Sequence, residues 1–223
     1  MALVLWVALL AAAPPAWAAK NRAEGFEKLG PGARIAIMPL DVELFSISAG
    51  GVLEPRADWT GLALTHFRAA LHAKKPRPDI EVVDLEDEED DTVESLNRLH
   101  GAVSAAIAGH HFGIYALPTK EGRLDWSMGP EVRSIRERTG ADYALFTFIR
   151  DAYASSERVA AIVVAALFGV GLGGGVQVGY ASLVELETGR VVWFNFLLRG
   201  TGDLREADKA RETLDALLSG FPQ

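Results

Sequence analysis

The stretch RVAAIVVAALFGVGLGGGVQVGY, residues 158–180, carries no charge between its first residue and its last. Three readings compete for it: a nucleotide-binding glycine loop, a membrane segment, or an apolar insertion in an α/β fold. Gly169, Gly171 and Gly174 satisfy the spacing G-x-G-x-x-G. A dinucleotide loop needs a strand before it and a helix after it, so that the phosphates meet a helix N-terminus. Here a strand follows, and Glu185 and Glu187 fall before a hairpin turn rather than at the end of a second parallel strand. A single membrane helix over residues 159–176 is just long enough. Its second half is crowded with glycines, each costing ~1 kcal/mol of helix propensity. The strands on either side also belong to one sheet, so both ends return to the same side, which a single span cannot do. The spacing predicts instead a short helix over residues 156–168, capped by Ser155 or Ser156, and then a Gly-rich return loop. A membrane-inserting β-hairpin of an oligomer is the alternative, although strict in-out alternation is absent.

Working outward, ADYALFTFIR (residues 141–150) reads as a strand. Residues 176–186 and 191–198 read as two strands joined by Glu187-Thr188-Gly189-Arg190, a hairpin connection with its glycine late. Residues 204–218 form a closing amphipathic helix, capped by Asp203, with Leu214, Leu217 and Leu218 facing inward. Upstream, RIAIMPLDV (residues 34–42) reads as a buried strand, with Pro39 marking an edge or bulge. Residues 43–57 read as a loop. Asp58 caps a helix to about residue 73, with Leu62, Phe67, Ala70 and Leu71 near one face. A short strand follows at residues 80–83, then a helix over 92–108 with Val93, Leu96, Leu99, Val103 and Ile107 at helical spacing. Pro130 opens a further helix and Gly140 closes it. The order predicts an α/β sandwich with a mixed sheet, a C-terminal antiparallel hairpin and a closing helix. It forms one domain over residues 33–220, with the apolar Gly-rich insertion at 155–175.

The chain has 223 residues, about half of them hydrophobic (49%), enough for one core. A formal charge of −8 argues against a nucleic-acid partner. There is no cysteine, hence no disulfide, thiolate metal site, Cys nucleophile or lipidated N-terminal Cys. Residues 2–13 are apolar and uncharged, Pro14 and Pro15 break the run, and Ala16-Trp17-Ala18 gives a small-x-small cleavage pattern. That layout reads as a secretory signal peptide over residues 1–18, followed by a leader at 19–32, and places the mature protein in a periplasm.

Residues 81–94 hold nine carboxylates and no base. The glycine of an EF-hand-type loop is missing, so the run reads as a solvated turn feeding a helix start, with Asp91 and Glu94 as a capping-box-like pair. His100, His110 and His111 invite a zinc site. On a continuous helix the first and last stand ~16 Å apart, and adjacent histidines diverge, so no metal is expected. No Gly-x-Ser-x-Gly elbow, His-Glu-x-x-His or phosphate loop is present. Asp125-Trp126-Ser127 and Arg150-Asp151 read as a turn and an ion pair. No catalytic residue and no cofactor is expected; a hydrolase built on His110 or His111 with Asp125 is the enzymatic alternative.

RIAIMPLDV as first strand, GADYALFTFIRDAY as the strand after the third helix, the insertion GVGLGGGVQVGY and the hairpin ASLVELETGRVVWFN together resemble the CsgG-like (curli secretion channel) group of bacterial envelope proteins. That group is similar in core fold to the N-terminal domain of TolB. The resemblance covers roughly residues 32–218. It implies an α/β domain without a catalytic site that works through protein contacts in the cell envelope, with an envelope protein or another copy of itself as partner. Residues 158–180 are then the segment for membrane contact or for a channel-like oligomer, and Val159, Ile162, Val163, Leu167 and Phe168 are the candidate contact residues.

Overall fold

A computed structural model describes residues 20–74, 77–85, 90–113, 115–200 and 202–223. The signal-peptide reading of residues 1–18 lies outside the described residues. Among the described residues seven strands, β1 (Arg34–Ile37), β2 (Asp41–Ile47), β3 (Leu53–Pro55), β4 (Glu81–Asp84), β5 (Tyr143–Ala154), β6 (Gly175–Glu185) and β7 (Val191–Arg199), form a single mixed sheet. Among the described residues five α-helices accompany it: α1 (Ala57–Ala73), α2 (Asp91–Ile107), α3 (Arg133–Thr139), α4 (Ser156–Leu167) and α5 (Ala207–Leu217). The α/β sandwich with a mixed sheet and antiparallel C-terminal hairpin is therefore the observed architecture.

β5 organises the sheet. Along one edge it pairs antiparallel with β6 from Tyr143↔Glu185 to Tyr153↔Gly175, and β6 pairs antiparallel with β7. Its other edge is shared: β1 runs parallel to residues 143–145 and β2 parallel to residues 148–154. β1 and β2 thus lie end to end, interrupted at Pro39, which has no amide to give to the ladder. Pro39 breaks the expected single strand in two, and its carbonyl accepts from Asn97 Nδ2 at 2.9 Å. Beyond β1 lies β4, and beyond β2 lies β3.

The loop expected over residues 43–57 is largely strand. In β2, Val42 and Leu44 are buried and alternate with half-buried residues, the period-2 signature of a strand with one face on the core. Glycines 50 and 51 and Pro55 mark only the turn and end of a β2–β3 hairpin, not a loop throughout. α1 is not capped by Asp58: its N-cap is Arg56, which pairs with Asp58. Phe67 is buried as expected, but Leu62 is half exposed, with Ala63 taking the inward place. The cap of α2 is Asp90, whose Oδ1 accepts from the amides of Thr92 and Val93 at 2.8 and 3.1 Å. Asp91 therefore sits inside the first turn. α5 starts later than expected, and Asp203 holds Arg205 rather than capping it.

Two cores follow from the layering. On one face α1 and α5 pack over Ile35, Leu44, Phe67, Ile149, Leu183, Trp193, Leu214 and Leu217. On the other, α2 and α3 cover Met38, Leu96, Ile107, Ile135, Phe146 and Phe194. The hairpin turn is fixed by Gly189, whose φ of +75° is left-handed and where a Cβ would collide with the Gly129 carbonyl.

Candidate functional site: an apolar end of the sheet

The strand registers bring several termini to one end. Ile47 opposes Ala154 and Leu53, Tyr153 opposes Gly175, and Gln177 opposes Arg199. The tip of the β2–β3 hairpin, the end of β5, the start of β6 and the end of β7 therefore meet, and α4 with its return loop joins β5 to β6 there.

α4 has the limits its sequence predicts. Ser155 Oγ accepts from the Arg158 amide at 3.1 Å, closing the N-cap. Gly169, with φ +76°, ends the helix in the left-handed conformation. The return loop rejoins the sheet where the Ala154 amide donates to the Gly174 carbonyl at 2.8 Å. Arg158 ties the parts together: its guanidinium donates to Ala49 in the β2–β3 tip at 3.2 Å and to Gly173 at 3.3 Å.

No residue of α4 is buried. Leu167 and Phe168 are each 80% exposed, and Val159, Val163, Val164 and Val170 are more than half exposed. Ile162 is half-buried, its Cδ1 lying toward Gly174. Val52 and Leu53 of the β2–β3 tip, Val176 of β6 and Leu198 of β7 add exposed apolar surface at the same end. Scattered single apolar residues are ordinary on a surface, whereas a continuous group of this size marks a contact surface. At ~1.5 Å per residue α4 is ~18 Å long. No helix among the described residues is long and apolar enough to cross a membrane.

Beneath this end the strands are pinned by buried polar groups. Asp151 accepts from Tyr153 Oη and from Gln177 Nε2, the latter at 2.6 Å. Gln177 Oε1 in turn accepts from Arg199 Nε at 2.8 Å and from Thr213 Oγ1 of α5 at 3.2 Å. Burial pushes the Asp151 carboxyl up, its hydrogen bonds opposing. Burial and the adjacent Asp151 push the Tyr153 hydroxyl up as well. Arg205 lies over both the Trp59 and Tyr153 rings, at 4.4 and 4.3 Å. The network links β5, β6, β7 and α5 and leaves the apolar end rigidly mounted.

The other sequence candidates lie elsewhere. His100 is buried, its Nε2 at 2.9 Å from Ser182 Oγ and its ring stacked on Phe146. Burial lowers its pKa to about 3. His110 Nδ1 meets the Tyr115 carbonyl at 2.7 Å, and His111 Nε2 meets that of Lys20 at 2.8 Å. Asp125 Oδ2 pairs with Lys120. Among the described residues no three His, Asp or Glu side chains are grouped to hold a metal. Arg150 pairs with Asp41 and Glu43 rather than with its neighbour Asp151. The glycine motif at 169–174 leads into β6 and not into a helix. Val164 and Val170 belong to the apolar end and were legible in the same stretch; Val52, Leu53, Val176 and Leu198 join it only through the sheet registers.

No protein-family model matches the chain, and no curated protein does. Among solved structures, the chain is similar to the PelC dodecamer from Paraburkholderia phytofirmans, at 14% identity over 91% of this chain and 98% of that one, with a TM-score of 0.36. It is similar to the LpoB C-terminal domain from Salmonella enterica, at 12% identity over 79% of this chain and 87% of that one, with a TM-score of 0.31. It is also similar to the lipoprotein GNA1162 from Neisseria meningitidis, at 12% identity over 75% and 79% of the two chains, with a TM-score of 0.28. At such distances the likeness assigns neither a partner nor an activity to these residues.

Proposed function

We propose that this is an exported periplasmic protein of CsgG-like build that works without catalysis, through protein contacts in envelope assembly or transport. In this reading residues 1–18 are its signal peptide, and the apolar end is its contact surface, with Val159, Ile162, Val163, Leu167 and Phe168 at its centre. The observation that carries it is the exposure of α4: a helix with a well-formed cap and a rigid mounting that buries none of its own residues. A helix normally gains its stability by burying an apolar face, so this one is built for a surface outside the monomer. The partner is an envelope protein or a second copy of the chain. The tip of α4 also favours a second reading, in which Leu167 and Phe168 enter lipid as part of a channel-like assembly.

Envelope fractionation with a carbonate wash separates the two. A protein that washes out, and whose native complex includes a second polypeptide or further copies, supports the contact reading. Retention in the pellet until detergent is added transfers residues 158–180 to the lipid reading. A freely soluble monomer with no complex sinks both. Sequencing the mature N-terminus tests the export step, which requires a start near Ala19.

A further inference from the structure

The outer edge of β7 directs the start of the described chain. Arg22 bridges Trp193 antiparallel, the Ala23 amide donates to the Val192 carbonyl, and the Asn21 carbonyl accepts from the Phe194 amide, both bonds at 3.0 Å. Traced backward from Ala23 to Lys20, the chain therefore climbs β7 toward Phe196 and Leu198. Lys20 is seated there. Its carbonyl lies 2.8 Å from His111 Nε2, and its ammonium stands 5.2 Å from the centre of the Phe112 ring, which packs on Phe196. The sheet face beyond is open. Tyr180 opposes Phe196 and Val178 opposes Leu198, and side chains paired in this way share a face. Phe194, on the same face, belongs to the core under α2. Past it, Val178, Tyr180 and Phe196 are only half-buried, Val176 is 43% exposed and Leu198 is 65% exposed. Whatever precedes Lys20 meets this face first.

We infer that in the unprocessed chain the signal segment folds back over this face of β6 and β7, and that cleavage uncovers it as part of the apolar end. The inference rests on the reading of residues 1–18 as a cleavable signal peptide. Three observations commit the face to that occupant. The first is direction, since the chain upstream of Lys20 is delivered beside Phe196 and Leu198. The second is chemistry: residues 2–19 carry no charged side chain, and neither do Val176, Val178, Tyr180, Phe196 and Leu198, so contact strands no charge on either side. The third is length. Residues 14–19 reach up to ~20 Å when extended, and residues 2–13 form ~18 Å of helix, enough to cross the ~10 Å between β5 and β7. Covalent attachment also gives the segment an effective concentration of roughly millimolar, which a second copy or a separate partner must match from solution.

The test compares the whole precursor, made by cell-free synthesis without membranes, with the chain that starts at Ala19. The chain has no cysteine, so Leu198→Cys labelled with a benzophenone maleimide places one photo-crosslinker on the face. In monomeric precursor, mass spectrometry is expected to find residue 198 joined to a peptide from residues 1–19. The same label at Val82→Cys, on the opposite edge of the sheet, is expected to give no such product. Val178→Glu with Leu198→Glu is expected to speed removal of the signal segment by thermolysin at least tenfold, because cleavage follows the population of the released form. If circular dichroism shows that the double variant does not fold, the crosslinks decide. Three results overturn the inference: no crosslink from residue 198 to residues 1–19, crosslinks that join two chains instead, or equal thermolysin rates in folded native and variant precursors. Any of these with a native N-terminus at Ala19 leaves the contact reading standing, whereas a native N-terminus still at Met1 sinks the cleavage on which both rest.

Discussion

His100 makes the stability of this protein depend on pH in a calculable way. Its ring lies in the second core, stacked on Phe146 with centroids 5.1 Å apart, and burial holds its pKa at about 3 against an ordinary 6.5. The folded chain therefore refuses a proton that the unfolded chain accepts. The stability this gives to the neutral imidazole is complete above pH 6.5 and is lost as pH falls toward 3. Each unit between the two values is worth ~1.4 kcal/mol. At pH 5 the loss is about 2 kcal/mol, and below pH 3 it approaches about 5 kcal/mol. That is a large part of the ~5–15 kcal/mol that holds a domain folded. The perturbation is His100→Gln, which keeps a group able to bond Ser182 and removes the titration. Urea unfolding of both proteins at pH 7, 6 and 5 gives the comparison. The carboxylates and the other histidines are common to both, so they cancel in the difference of slopes. The native protein is expected to lose about 2 kcal/mol more than the variant between pH 7 and 5. Any constant cost of the glutamine leaves that difference untouched. Parallel pH profiles would refute the reasoning, because they would mean that the folded protein protonates His100 as readily as the unfolded chain does.

Other perturbations probe the remaining features. Leu167→Ser with Phe168→Ser is expected to leave unfolding free energy within ~0.5 kcal/mol, since both side chains are exposed, while reducing the fraction that carbonate leaves in the envelope pellet or in a native complex. Asp90→Ala is expected to cost about 1 kcal/mol in urea unfolding through loss of the α2 cap; Asp91→Ala, one residue on, is expected to cost less than about half of that, and equal effects would contradict the cap assignment. Gly189→Ala forces a Cβ into left-handed backbone against Gly129 and is expected to lower stability by about 2 kcal/mol or more; an unchanged midpoint would remove that contact from the account. Gln177→Leu removes one buried hydrogen bond each from Asp151 and Arg199, which keep Tyr153 and Glu212 as partners, and is expected to cost about 1–3 kcal/mol, with faster amide exchange along the ends of β5 and β6.

Local signals carried much of the fold. Ser155 and Gly169 bound α4 because an N-cap oxygen and a left-handed glycine are requirements of the helix itself. The hairpin around Gly189 was legible for the same reason. β2 was not, because Gly50, Gly51 and Pro55 lie close behind it and their turn signal covered the alternation of Val42 and Leu44. The two halves around Pro39 were one strand by composition; only pairing with β5 shows them as two, laid end to end. At the site, the exposure of Val159, Val163, Leu167 and Phe168 could not be read from hydrophobicity, since a buried helix has the same composition. Exposure is decided by what the topology places above the helix. Leu198 and Leu53 are far apart in sequence and join the apolar end only through strand register.

The shared edge of β5 also sets an order of events in time. β1 and β2 do not pair with each other, and both take their places from a strand that begins at Tyr143. While the chain emerges from its N-terminus, β1 has only β4 to pair with and β2 only β3, a three-residue strand, until more than half of the polypeptide has emerged. Contacts spanning that much sequence form late, because loop closure comes before any pairing enthalpy. The edge of β2 that pairs with β5 must therefore wait for it, although the helix that covers Leu44 follows directly in sequence. Folding of the whole sheet should be slow and should complete in one step when β5 docks, and a refolding trace should show α-helical signal well before the sheet.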